Sequence, residues 1–207
     1  MPKGLSSSNP TPARKRRAPA VAVVVSRYNG SITDRLLEGA LAAYRGRGGV
    51  DAGVRVVPAT GSYELPALAL AAATSGRFRG VLALGCLIKG ETSHDRYIAE
   101  AVAQGLVQVT VATGVPCAFG VLTVDTADQA AARAGGTHGN KGEDSMHALL
   151  DTIEQIESLR TTSTDRAVRI VANGAAPKFG RTLPDKARVA ISGASRAKAG
   201  GAGRGTR

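Results

Sequence analysis

"GVLALGCLIKGETSHDRYIAEAVAQG" spans residues 80–105. Its first nine residues are apolar without alternation, the pattern of a strand covered on both faces. The polar segment "KGETSHD" follows, and a helix is predicted from about Ser93 to Gly105. A buried strand leaving through a polar loop into a helix is half of a parallel crossover unit. The rest of the chain repeats that pattern. "VAVVVS" (21–26), "VRVVPA" (54–59) and "PCAFGVLTV" (116–124) read as three further buried strands.

Helical spacing fills the gaps. Ile32, Leu36, Leu37, Ala40 and Leu41 share one face up to about Tyr44, with Ser31 and Asp34 read as a capping box and "GRGG" as the stop. Ser62 is read as the cap of "YELPALALAAATSG", where Pro66 falls in the tolerated first turn. Thr126 and Gln129 form a second capping box, opening a helix to about Ala134, and "GGTHGNKG" reads as a loop. The last helix is predicted from about Lys141 to Arg160, with Leu149, Ile153, Ile156 and Leu159 along one side. The expected fold is an α/β three-layer sandwich, a four-stranded parallel sheet with helices on both faces.

The chain has 207 residues, a net charge of +11 and no tryptophan. That length suits one sizeable core, and the core must come from Val, Leu, Ile and Ala. No apolar run reaches the roughly 18 residues of a membrane span, and no signal-peptide pattern opens the chain, so a cytoplasmic protein is expected. The positive charge suggests a nucleic-acid binder, but its distribution does not. Residues 1–20 hold 5 bases and no acids, residues 161–207 hold 10 bases and 2 acids, and residues 21–160 hold 12 bases and 14 acids. The expected organisation is therefore a basic disordered arm (1–20), one globular domain (21–160) and a basic Gly/Ala-rich disordered tail (161–207). Polyanion binding by the tails says nothing about the chemistry of the body. Cys86 and Cys117 read as buried free thiols, and with the scattered His94, His138 and His147 they do not make a zinc site.

In parallel sheets ligands bind beyond the carboxyl ends of the strands. That rule selects "SRYNG", "PATGSYE", "IKGETSH" and "TVDTADQ". In the third loop Gly90 is read as allowing a tight turn. The helix that follows offers free N–H groups to an anion, or is simply capped by Thr92 with Asp95 in its first turn. The stretch alone leaves both readings open. His94 is the side chain there that can carry and return a proton near neutral pH. Ser93 is a poor nucleophile, because its neighbour His94 projects to another side of the helix. Tyr28 can stack on a flat ring, and Glu64 can accept hydrogen bonds from hydroxyls. Arg133 ends its helix and Lys141 stands in "GNKG" at the start of the next, and both are read as candidate cations of the site.

In order, "SRYNGSITDRLLEGA", "GSYELP", "LGCLIKGETSHDRYI", "FGVLTVDTADQAAARAG" and "GNKG" resemble the motifs of the lumazine synthase (6,7-dimethyl-8-ribityllumazine synthase) family of riboflavin biosynthesis, over about residues 21–160. The resemblance implies a flavodoxin-like fold. It also implies condensation of 5-amino-6-(D-ribitylamino)uracil with 3,4-dihydroxy-2-butanone 4-phosphate, with no metal and no organic cofactor. By motif match, Tyr28 would stack on the pyrimidine, and Glu64 with the backbone near Ser62 and Tyr63 would hold the ribityl chain. Cys86, Leu87 and Ile88 would line the ring pocket largely through backbone. Glu91 and Thr92 would receive the phosphate with Arg133 as counter-charge, and His94 would shuttle protons. Phe119 would close the pocket from a neighbouring subunit, and Lys141 would add positive charge.

Three departures stand out: Tyr28 where the family has Phe or Trp, Lys89 where Arg is common, and Thr60 in place of the usual Pro. The family forms pentamers, and some members assemble twelve of them into an icosahedral shell, the type that "GGTHGNKG" resembles. An archaeal-type riboflavin synthase relative and a non-enzymatic flavin-binding shell protein with polyanion-binding tails are the competing readings. The intact "GETSH" and Arg133 argue for a phosphorylated substrate and against the former.

Overall fold

The structure, a computed structural model, describes residues 18–172, with side chains as far as Thr161. The chain divides into two units, residues 1–160 and residues 161–207. Nearly all of the expected basic arm and most of the expected basic tail lie outside the described residues.

Four strands form one sheet: β1 (Val21–Ser26), β2 (Val54–Ala59), β3 (Gly80–Ile88) and β4 (Cys117–Val124). Their order is β2-β1-β3-β4 and every pairing is parallel. The strands fall where the apolar runs place them, within one residue. The helices are α1 (Gly30–Gly46), α2 (Leu65–Thr74), α3 (His94–Thr113), α4 (Ala127–Arg133) and α5 (Lys141–Ala172).

Period-2 alternation sorts the strand side chains into two cores. Leu82, Leu84 and Cys86 join Leu36 of α1 and Leu149 of α5 on one face. Val81, Ala83 and Leu87 join Leu65 of α2 and Leu106 of α3 on the other. This is the expected three-layer α/β/α sandwich. Tyr44, almost fully buried, ties α1 to the chain entering β1, its hydroxyl donating to Pro19 O at 3.0 Å.

Several helix boundaries differ from expectation, each for a local reason. Helix α1 starts at Gly30 behind Asn29, which is left-handed at φ 57°, and no side chain caps it, so Ser31 and Asp34 do not form a capping box. Helix α2 starts after Glu64, not at Ser62. Helix α3 runs through Gly105 to Thr113 and stops at left-handed Gly114. Gly105 is a contact rather than a stop. A Cβ there would lie 2.7 Å from Cβ of Pro66, so glycine lets α2 and α3 approach closely. The Thr126–Gln129 capping bond forms at 3.2 Å.

Residues 134–140 are not a plain loop. They make a small antiparallel pair, β5 (Ala134–Gly136) with β6 (Gly139–Asn140). Asn140 caps α5, its Oδ1 accepting from Gly142 N at 2.9 Å while its Nδ2 donates to Arg35 O at 2.8 Å. Helix α5 continues past Arg160, and Leu159 leaves the core stripe at 73% exposure, while Leu149 and Ile153 are buried.

Gly142 is buried, and a Cβ on it would run into the carbonyl of Leu36 in α1. Backbone cannot swing aside as a side chain can. Gly142→Ala should therefore cost about 3 kcal/mol and lower the melting temperature by roughly 10 °C. Thermal unfolding reads this directly. An unchanged melting temperature would mean that the start of α5 slides freely over α1.

Candidate active site

The site follows from unequal strand lengths. β1 pairs with β3 only as far as Val25 opposite Leu84, whereas β4 accompanies β3 to Ile88. Residues 85–88 thus have a strand on one side and a crevice on the other. The crevice lies where the strand order reverses, between β1 and β3.

The direction of the backbone groups along this overhang can be read from the hydrogen bonds. Val81 N and Lys89 N donate toward the β4 side, to Pro116 O at 2.9 Å and Val124 O at 2.8 Å. Cys86 O accepts from Asn29 Nδ2 on the β1 side at 2.9 Å. Odd-numbered residues of β3 therefore address β4 and even-numbered ones address β1. The N–H and C=O of Ile88 consequently look into the crevice, where no strand lies opposite. A neighbouring donor and acceptor on one strand edge match the O=C–N–H edge of a flat lactam.

A cavity of about 480 Å³ occupies the crevice. Its walls include Tyr28, Ser62, Tyr63, Glu64 and the Cys86–Ile88 overhang, closed by Thr92 and His94 at the start of α3. Tyr28 and Tyr63 are 73% and 65% exposed, so both rings are available to a ligand or a partner. Glu64 folds back so that Oε2 accepts from Gly61 N at 2.9 Å. Ser62 contributes no exposed hydroxyl: its side chain is buried, and a Cβ at Gly85 would lie 2.7 Å from its Oγ.

Thr92 is not the cap of α3. Ser93 occupies that position and makes no side-chain capping bond, so the first-turn N–H groups keep their capacity to bind an anion. Gly90 has neither a positive φ nor a neighbour within 4 Å of an added Cβ, so within the chain nothing demands glycine there.

Three expected site residues lie elsewhere in the chain. Phe119, Arg133 and Lys141 line a separate hollow of about 290 Å³ along β4, the outer strand of the sheet. Arg133 donates from Nη1 to Gln129 O at 3.1 Å, and Lys141 Nζ pairs with Asp144 at 2.7 Å. Glu91 is exposed and stands outside the walls of the first cavity. One chain thus gathers Tyr28, the Cys86–Ile88 overhang, Glu64, Thr92 and His94 in one place, and the aromatic Phe119 with two cations in another.

Among the described residues no group of three His, Cys, Asp or Glu side chains could hold a metal ion. Burial pushes the Cys86 thiol up to about 11. It should therefore resist iodoacetamide at pH 8 in the folded protein and react only on unfolding. Fast labelling of Cys86 in the native state would contradict its place in the core. The sign of the linked pH effect follows. Above pH 9 the unfolded chain releases this proton and the folded one does not, so stability falls as pH rises toward 11.

Asn29 also lines the cavity, a residue to which the motifs assign no role. An Asn–Gly pair two residues beyond a buried strand is the signal in the sequence, since Asn tolerates the left-handed conformation.

A cavity at the switch point of a doubly wound parallel sheet, with backbone, aromatic, carboxylate and imidazole groups around it, is the arrangement of a flavodoxin-like α/β protein. Its sequence narrows the class. The family model of 6,7-dimethyl-8-ribityllumazine synthase matches residues 18–157, and the chain belongs to that family. It is 41% identical over 142 residues to 6,7-dimethyl-8-ribityllumazine synthase 1 of Caulobacter vibrioides, covering 69% of this chain and 93% of that protein. The 6,7-dimethyl-8-ribityllumazine synthases of Xanthomonas oryzae pv. oryzae and Stenotrophomonas maltophilia are also 41% identical, each over 138 residues. Those matches cover 67% of this chain and 90% and 89% of the two relatives. The matched segment is the α/β body, and no described helix is long and apolar enough to cross a membrane.

Proposed function

We propose that the protein is a 6,7-dimethyl-8-ribityllumazine synthase acting in the cytoplasm. It condenses 5-amino-6-(D-ribitylamino)uracil with 3,4-dihydroxy-2-butanone 4-phosphate, with phosphate and water leaving. The observation that carries this reading is the overhang of β3, whose Ile88 donor and acceptor face a cavity flanked by Tyr28, Glu64 and His94. The pyrimidine edge meets Ile88 while Tyr28 stacks on the ring. Glu64 accepts from ribityl hydroxyls. The uncapped start of α3, with Thr92, receives the phosphate. The 5-amino group attacks the ketone, and His94 returns protons as the imine forms and phosphate departs. The substrate brings its own nucleophile, so the chain supplies orientation and proton transfer.

Phe119, Arg133 and Lys141 serve this site from a second copy, because within one chain they line a different hollow. Two surface features support such assembly. Helix α2 contains no charged residue yet exposes Leu70, and α3 exposes Tyr97, Val107 and Val111. A helix apolar on every side is normally buried. We assign these faces to contacts within a pentamer, and the pentamers to a shell of twelve. Native mass measurement tests this; a monomer at micromolar concentration would contradict it. The basic tails are assigned to polyanion binding. Removing residues 161–207 should abolish salt-sensitive RNA binding and spare turnover, and full-length protein that ignores RNA at low salt ends that assignment.

The decisive experiment mixes purified protein with the two substrates and follows the fluorescence of the lumazine. Steady product formation supports the reading, and absence of product overturns it.

A further inference from the structure

We infer that Asn29 is a positioning residue that blocks the inner rung of the β3 overhang, so that the substrate ring can be read only at Ile88; this rests on the proposed function above. Asn29 is the one non-glycine residue with positive φ among the described residues. Its backbone carbonyl opens α1, accepting from Ile32 N at 2.9 Å and Thr33 N at 3.1 Å. The turn leading to it is fixed by Ser26 Oγ, which accepts from Tyr28 N at 3.2 Å. From this held position the carboxamide reaches across the switch point and donates to Cys86 O at 2.9 Å.

The consequence concerns register. Backbone groups facing β1 recur at every second residue of β3, so Cys86 and Ile88 are successive rungs on the crevice side. With β1 finished, Cys86 O would be a second open acceptor in a narrow cleft. A lactam edge could then pair one rung too deep, moving its reacting amine by about 7 Å away from His94. The carboxamide occupies that rung as the next residue of β1 would have done. It also ties the overhang to α1, which holds Ile88 at a fixed height against Tyr28. Asn29 thus acts through the Cys86–Ile88 backbone rather than on the reacting atoms.

The test uses Asn29→Gly, which keeps the left-handed backbone and removes the amide, and Asn29→Asp, which sets a carboxylate oxygen against the Cys86 carbonyl. Asn29→Gly should raise the KM for the pyrimidine about tenfold and leave that of the phosphorylated substrate unchanged; Asn29→Asp should do more. The melting temperature should stay within a few degrees of the parent. Equal changes in both KM values, or none, would overturn the assignment.

Hydrogen exchange provides a readout that does not depend on turnover. The Lys89 amide, which closes the overhang onto Val124, should exchange faster in Asn29→Gly. If the parent protein makes no lumazine, the proposed reaction fails and the exchange result alone decides the role of Asn29. Unchanged exchange would then reject it.

Discussion

An Arg133→Met variant should lose about 100-fold in kcat/KM for the phosphorylated substrate, mainly through KM, and keep its melting temperature. Arg133 is half-buried at the end of α4, where its guanidinium donates to Gln129 O at 3.1 Å. Methionine preserves the length of the side chain and most of its packing while deleting the charge. Removing one partner of a desolvated charge pair costs about 2–5 kcal/mol, and each 1.4 kcal/mol is roughly tenfold. The other substrate carries no phosphate, so its binding should change little. An unaltered KM for the phosphorylated substrate would remove Arg133 from the site.

The placement of Arg133 allows a stricter check. It shares a hollow with Phe119 and Lys141, apart from His94. Chains carrying Arg133→Met and chains carrying His94→Gln, unfolded and reassembled together, should regain part of the activity that each lacks alone. Only a site drawn from two copies can do this.

His94→Gln should lower kcat by about 100-fold with little change in either KM. His94 is exposed in the first turn of α3, at the wall of the cavity, and is not part of the packed core. Glutamine can still donate and accept hydrogen bonds, so what it removes is the ability to take a proton and give it back. Stability should be unaffected, as for most exposed substitutions. Single-turnover measurements with both substrates saturating separate this loss from a binding defect. A variant with parental kcat would end the proton-transfer assignment.

The sheet was legible because each strand is a continuous run of Val, Leu, Ile and Ala, a pattern that few other elements produce in so short a space. The helix ends were harder, since they depend on contacts between segments far apart in sequence. Gly105 reads as a breaker until Pro66 is seen packed on it, and Gly114, left-handed, does the stopping. Ser31 and Asp34 satisfy a capping rule, but Asn29 had already begun the helix. The cavity residues could be picked out because they follow strand ends. Phe119 was read as closing a neighbouring subunit's pocket, but that Arg133 and Lys141 share its hollow was not legible, because sequence order does not say on which side of β4 they come to lie. The role of Asn29 likewise depends on β1 ending before β3 does, which only pairing reveals.

The overhang of β3 also dictates which deletions this family architecture can survive. Losing one residue between Gly85 and Ile88 would leave N–H and C=O groups on the crevice edge, now supplied by the next residue along, but would move every following side chain to the opposite face of the sheet. Losing two would restore the facing and only shorten the shelf. The spacing between Leu84 and Gly90 is therefore constrained as even or odd before it is constrained as long or short, and a variant with the wrong parity would keep its backbone edge in the crevice but carry core side chains on the wrong faces.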